Sequence, residues 1–241
     1  MIKLFADGAD MNGIMDAAKN PNIVGFTTNP TLMRQAGVTD YEAFAKKTID
    51  YLSRVRPDTC LSLEVFADDL SSMVRQARMI SDWAGDHYRV YVKIPAMNTK
   101  GVLTAGIVGT LVAEDININV TAVFTPLQIQ QFVTVAKTDV PMIISVFAGR
   151  IADAGVDPTE IISKGLYFRD SMRNASHVEF LWASPREVFN YKQAEKCHCD
   201  IITMTPSLIA KLSGFGKDLT DFSRETVQMF YEDAVKSGFS I

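Results

Sequence analysis

Tyr88-Arg89-Val90-Tyr91-Val92-Lys93-Ile94-Pro95 is the stretch on which the reading of this chain turns. Its β-branched and aromatic residues, stopped by a proline, predict a buried strand. One charge, Lys93, interrupts the apolar run near its end. An ammonium ion is costly in such a place unless it is paired or neutral. Burial favours the neutral amine, and a neutral lysine amine can attack a carbonyl and form a Schiff base. The plainer reading is a lysine whose stem follows the strand while its head reaches water, or a buried ion pair without chemistry. Taken alone, Lys93 slightly favours that plainer reading, so the decision passes to its surroundings.

Working outward, short β-branched runs separated by helical patterns fill the chain. Strands are predicted at residues 3–7, 23–27, 61–66, 89–94, 119–124, 142–147, 178–182 and 201–204. Segments 41–55, 70–84, 101–114 and 127–136 place apolar residues at helical spacing beside polar ones. Thr125-Pro126 reads as an N-cap followed by proline at the first helical position, and Asp157-Pro158-Thr159-Glu160 and Ser184-Pro185-Arg186-Glu187 resemble capping boxes. Strict alternation demands a parallel sheet covered by helices, and eight such units in this length suit closure into a single α/β domain over residues 1–241, a (β/α)8 barrel of the TIM type. An open doubly wound sheet is the alternative, but Gly8-Ala9-Asp10 after the first strand does not make its glycine-rich phosphate loop. Residues 218–235 form an extra C-terminal amphipathic helix that caps the barrel or reaches a neighbouring subunit.

The 241 residues are 47% hydrophobic and carry a net charge of −4, which suits a globular protein with a sizeable core and gives no electrostatic footprint for nucleic acid. Neither a leader pattern nor an apolar stretch long enough for a bilayer is present in the sequence, so a cytoplasmic location is expected and no membrane partner. Cys60, Cys197 and Cys199 do not form a disulfide framework, and Cys197-His198-Cys199 lacks a second pair at zinc spacing. His87, His177 and His198 form no evident ligand cluster either, so neither metal nor organic cofactor is expected. Asn119-Val-Thr121 and Asn174-Ala-Ser176 match the glycosylation sequon, by accident in a cytoplasmic chain.

A closed parallel barrel carries its site at the C-terminal ends of its strands, and polar residues gather there in this chain. Strand one ends in Asp7, strand two in Thr27-Thr28-Asn29-Pro30, strand three carries Glu64, strand four Lys93, strand five Asn119 and Thr121, and strand six Ser145, with Arg150 just beyond. Singly each has a bland explanation: Asp7 starts a turn, Asn29-Pro30 is a turn dipeptide, and Arg150 is a loop cation. Jointly they converge on one cavity. Two carboxylates near one lysine favour its ammonium form while burial and Arg150 oppose it. A lysine that alternates between amine and iminium fits that conflict better than a static pair.

These residues, in this order, resemble the transaldolase family, and more broadly the class I aldolases that work through a lysine Schiff base. The resemblance runs through Phe5-Ala6-Asp7, Gly25-Phe26-Thr27-Thr28-Asn29-Pro30-Thr31-Leu32, Glu64-Val65, Val92-Lys93-Ile94-Pro95, Asn119-Val120-Thr121-Ala122-Val123-Phe124 and Ser145-Val146-Phe147-Ala148-Gly149-Arg150. It implies that Lys93 attacks the ketone of a ketose donor and that Asp7 exchanges the C4 hydroxyl proton as the C3–C4 bond breaks. It further implies that Glu64 and Thr121 hold the water that shuttles protons, that Thr28, Asn29, Asn119, Ser145 and Phe147 form the substrate-binding set, and that Arg150 contacts a terminal phosphate. The partner implied is a small sugar or sugar phosphate, the setting the pentose phosphate pathway, and the assembly a homo-oligomer.

Glu64 and Phe147 stand where the similar fructose 6-phosphate aldolases tend to carry Gln and Tyr, which places both on the transaldolase side. Strand seven departs from the family. Where a serine and a cation usually complete the phosphate pocket, Leu181 and Ala183 align, with Ser184, Arg186 or Lys192 as possible replacements. Three activities stay open on this evidence: transfer of a dihydroxyacetone unit, an aldolase that releases free dihydroxyacetone, and a sugar-binding barrel without catalysis.

Overall fold

A computed structural model describes residues 2–85 and 88–239. Among them eight parallel strands, β1 (Lys3–Asp7), β2 (Ile23–Thr27), β3 (Cys60–Glu64), β4 (Arg89–Pro95), β5 (Ile118–Val123), β6 (Met142–Val146), β7 (Val178–Trp182) and β8 (Ile201–Met204), close into a barrel in sequence order. β8 pairs back onto β1, from Lys3 with Ile201 to Ala6 with Met204, which completes the ring. This is the expected (β/α)8 barrel, and ring closure removes the open-sheet alternative.

Period-two alternation divides each strand between two environments. One face points outward into a continuous apolar layer under the helices, where Phe26, Leu61, Leu63, Val92, Ile94, Ile118, Ile144, Phe180 and Ile202 are buried. The other face fills the barrel with Phe5, Cys60, Tyr91, Ile143, Leu181, Ala183 and Ile201. Gly25 makes room for that filling, because a Cβ there would sit 2.5 Å from the Phe5 ring. Above this plug the inward positions turn polar, which builds the mouth.

Aspartates start several covering helices. Asp10, Asp40, Asp69 and Asp157 accept from backbone N–H groups of the first turns of Met11–Ala18, Tyr41–Val55, Leu70–Asp82 and Pro158–Asp170. Thr125 and Gln128 form a reciprocal capping box on Pro126–Thr134. The box expected at Ser184 does not form. Ser184 is left-handed at φ 60°, and the next helix, Asn190–Lys196, begins later, with Asn190 Oδ1 accepting from the N–H groups of Arg186 and Glu187. Strand three ends at Glu64 rather than 66 because Gln76 Oε1 takes the N–H groups of Phe66 and Ala67. The helix expected from 101 starts at Ala105, since Met97 and Leu103 first form an antiparallel bridge.

The C-terminal helix, Leu219–Ser237, buries none of its residues, so it does not cap the barrel. Leu219, Phe230, Tyr231 and Val235 are all exposed. No helix among the described residues is long and apolar enough to cross a membrane.

At the mouth, Gly149 lets the turn after β6 press against the turn after β7: its N–H donates to Ala183 O at 3.3 Å, and a Cβ would lie 1.6 Å from Ser184 O. Gly149→Ala is therefore expected to lower stability by roughly 1–3 kcal/mol, the usual cost of overpacking, measured as a shift in the urea midpoint.

Candidate active site

Lys93 projects from β4 into the mouth and is 6% exposed. Its Nζ lies 3.0 Å from Glu64 Oε2 and donates to Thr28 O at 2.6 Å. Parallel pairing sets this up, because Glu64 and Lys93 are register partners on β3 and β4. Glu64 is fixed from the other side, where the Tyr41 hydroxyl donates to its backbone carbonyl at 3.0 Å. Thr28, at the end of β2, is itself held by donation from its hydroxyl to Ser62 O at 3.1 Å. A buried amine thus faces a carboxylate placed to take its proton.

Asp7 lies across the mouth at the end of β1, where its Oδ1 accepts from the Thr27 hydroxyl at 2.8 Å. Burial pushes its carboxyl above the usual carboxylate range, an effect that the Lys93 charge and the Thr27 hydrogen bond oppose and the Glu64 charge reinforces. Among the described residues Glu64 alone pairs with Lys93 at contact distance, whereas Asp7 accepts from the Thr27 hydroxyl. The two carboxylates therefore have separate surroundings, the arrangement in which acid and base work can be divided.

The floor is a hydrogen-bonded row across β3, β5 and β6. Asn119 Nδ2 donates to Ser62 Oγ at 3.1 Å, and Ser145 Oγ donates to Asn119 Oδ1 at 2.7 Å. Asn119 is fully buried and lies beneath the cavity wall rather than in it, whereas Ser145 lines the wall. Burial also removes Asn119 from any use as a sequon. Thr121 lines the wall one pair of residues further along β5, followed by Ala122 at φ 56° where the β5–β6 register shifts. A left-handed alanine beside a strand irregularity is a local cost at the mouth of a barrel.

These side chains enclose a cavity of about 430 Å³ lined by Asp7, Asn29, Glu64, Lys93, Thr121, Ser145, Phe147 and Arg150 among others. Asn29 Oδ1 is committed to capping the helix Pro30–Gln35 by accepting from Leu32 N at 3.0 Å, which leaves its amide nitrogen for a ligand. Arg150 is exposed, with its guanidinium carbon 5.9 Å from the Phe147 ring centroid. Leu181 and Ala183 do form the wall on the β7 side, joined by Ser184. Arg186 does not replace the missing cation, because Asp153 binds its guanidinium. Lys192 pairs with Glu195 at 2.9 Å on the outer surface.

Two lining residues were not singled out in the sequence, Gln35 and Thr203. Thr203 carried a usable signal, since it stands two residues from the inward Ile201 on β8. Cys60 and Cys199 are buried and their thiols are pushed up by that burial, Cys60 to about 12. His177 and His198 are exposed, His87 lies outside the described residues, and no cluster of metal-ligating side chains occurs among the described residues.

A family model described as Transaldolase/Fructose-6-phosphate aldolase matches residues 4–241. A probable transaldolase of Hyphomonas neptunium is 30% identical over 240 residues, 100% of this chain and 100% of that one. Probable transaldolase 2 of Listeria monocytogenes is 31% identical over 234 residues, 93% of this chain and 99% of that one. Among solved structures, dihydrodipicolinate synthase from Rhodopseudomonas palustris superposes with a TM-score of 0.56 at 14% identity, covering 98% of this chain and 80% of that one. At that identity the likeness shows the fold alone.

The raised carboxyl of Asp7 has a sign that can be tested. A proton held more tightly in the folded state makes ionisation of Asp7 oppose folding, a penalty absent below its unfolded value of about 3.9 and complete once pH passes the folded value. Asp7→Asn is therefore expected to have a higher urea midpoint than the parent at pH 8, with the difference closing as pH falls toward 4. Equal midpoints throughout, or a less stable variant at pH 8, would contradict this reading of Asp7.

Proposed function

The chain belongs to the transaldolase/fructose-6-phosphate aldolase family, and on that premise we propose that it transfers a dihydroxyacetone unit from a ketose or ketose phosphate to an aldehyde acceptor through a Schiff base on Lys93. The observation that carries this reading is the Lys93–Glu64 pair, 3.0 Å apart and largely withdrawn from water in a cavity that Asp7 shares.

Glu64 takes the proton that the ammonium must lose, and the free amine of Lys93 adds to the ketose C2 carbonyl. Glu64 and Thr121 hold the water through which the carbinolamine oxygen is protonated and expelled, leaving an iminium. The Asp7 carboxylate removes the C4 hydroxyl proton; the C3–C4 bond breaks, its electron pair enters the iminium, and the aldehyde product departs. The enamine left on Lys93 then adds to the acceptor aldehyde, Asp7 returns its proton to the new alkoxide, and water releases the product ketose. Asn29 and Ser145 bind hydroxyls of the three-carbon unit, Thr28 and Asn119 support them from below, and Phe147 and Arg150 receive the far end of the donor. No metal or organic cofactor enters this sequence of steps.

Assembly belongs to the same proposal. The apolar residues that Leu219–Ser237 leaves exposed are covered by a second copy of the chain, which makes the working form a homo-oligomer.

Lys93→Met is expected to abolish turnover with every ketose, and Asp7→Asn to lower it by about 10²–10⁴-fold, the usual weight of a general acid/base. For the parent protein, ketose consumption should require an acceptor aldehyde and leave little free dihydroxyacetone. Steady release of dihydroxyacetone without acceptor would assign the chain to the lyase side of the family. Ketose binding with no turnover, unchanged by Lys93→Met, would make it a sugar-binding barrel.

A further inference from the structure

We propose that Thr203 is a positioning residue for Asp7: it acts through Thr27 to orient the Asp7 carboxylate as the proton acceptor of the cavity. The inference rests on the role proposed above for Asp7, and Thr203 is given no part in that scheme.

β1 lies between β2 and β8 in the barrel, and Asp7 is the register partner of Thr27. From β8, the Thr203 Oγ1 comes within 2.5 Å of Thr27 Oγ1, so two hydroxyls from the flanking strands meet inside the barrel beside Asp7. Both threonines are buried, and both line the same cavity as Asp7 and Lys93.

The direction of the chain follows from a proton count. A threonine hydroxyl has one hydrogen to give. Thr27 gives its hydrogen to the Asp7 carboxylate at 2.8 Å, so its oxygen must be the acceptor in the short contact with Thr203. The order is Thr203 to Thr27 to Asp7, and each donation polarises the next. This chain stabilises the ionised carboxylate and fixes which oxygen of Asp7 is occupied, leaving Oδ2 for the cavity. When Asp7 takes up a proton, Thr27 no longer has to donate to it and its hydrogen can turn back toward Thr203.

The charged groups that share the cavity with Asp7 are Lys93 from β4, Glu64 from β3 and Arg150 beyond β6. Asp10, at the start of the helix that follows β1, is committed to Gly13 N at 2.7 Å. Lys93 and Glu64 act on Asp7 with opposite signs, so the hydroxyl chain is the local element that adds to Lys93 in favour of the carboxylate. A merely structural pair of buried hydroxyls would satisfy each other without any effect on proton transfer.

Thr203→Val keeps the shape and removes the donor. Its expected effects are a fall in kcat of roughly three- to tenfold, a move of the acid limb of kcat/KM to higher pH, and undiminished borohydride trapping of ketose on Lys93. Thr203→Ser should bring kcat and the acid limb back toward the parent. Independently of turnover, the carboxyl carbon resonance of Asp7 should titrate at higher pH in Thr203→Val than in the parent. An unchanged Asp7 titration with unchanged kcat would overturn the proposal. So would a Thr203→Val protein that loses trapping and turnover together and is not rescued by serine. Failure to trap ketose on Lys93 in the parent would instead count against the Schiff-base reading, with the Asp7 titration still deciding the role of Thr203.

Discussion

Glu64 and Lys93 are neighbours because β3 and β4 pair in parallel with these two residues in register near their C-terminal ends. Charges withdrawn from water are costly, and a pair of them persists only when its geometry and additional hydrogen bonds compensate. Here the ammonium has both a carboxylate at 3.0 Å and the Thr28 carbonyl at 2.6 Å. Much of the mouth can be traced to meeting that requirement. The end of β2 is drawn across to present Thr28 O, Ser62 secures Thr28, and the Tyr41 hydroxyl secures Glu64. Such a pair contributes little to net stability.

Around the pair the polar residues fall into two groups with different tasks. On the β3–β5–β6 side, Ser62, Asn119 and Ser145 bind mainly to one another, which gives a stiff floor and explains why a fully buried asparagine is tolerated inside a barrel. On the β8–β1–β2 side, a chain of hydroxyls ends on a carboxylate whose pKa burial raises. The wall at β7 belongs to neither group. Leu181 and Ala183 leave Arg150 as the one guanidinium among the described residues that line the cavity, so this side of the mouth presents an exposed cation beside an apolar surface.

The barrel was legible because alternation of two periods is written into every unit. Runs such as Tyr91-Val92-Lys93-Ile94 bury both faces, and the helices between them show one apolar face each. Ends were harder, because side chains decide them: Gln76 stops β3 from ten residues away, and Asn190 takes the N–H groups that the Ser184 segment was expected to cap. The ionisable site residues could be read since a charge in a strand core is conspicuous. Thr203 and Ser62 stood out less, for threonine and serine are ordinary in strands, and their contacts form only when strands eight and two, or three and five, are placed together. The committed oxygen of Asn29 and the sequestered Asn119 likewise belong to the folded state alone. The C-terminal helix was legible as a helix, yet that it buries none of its residues is a property of the fold alone.

The most direct test of the central claim is a crystal structure of the protein reduced with borohydride in the presence of a ketose that it turns over. Continuous density is expected from Lys93 Nζ to C2 of the sugar, with the C4 hydroxyl within hydrogen-bond reach of Asp7 and Glu64 beside the new carbon–nitrogen bond. An unmodified Lys93 with the ketose turned over, or an adduct on another lysine, would contradict it.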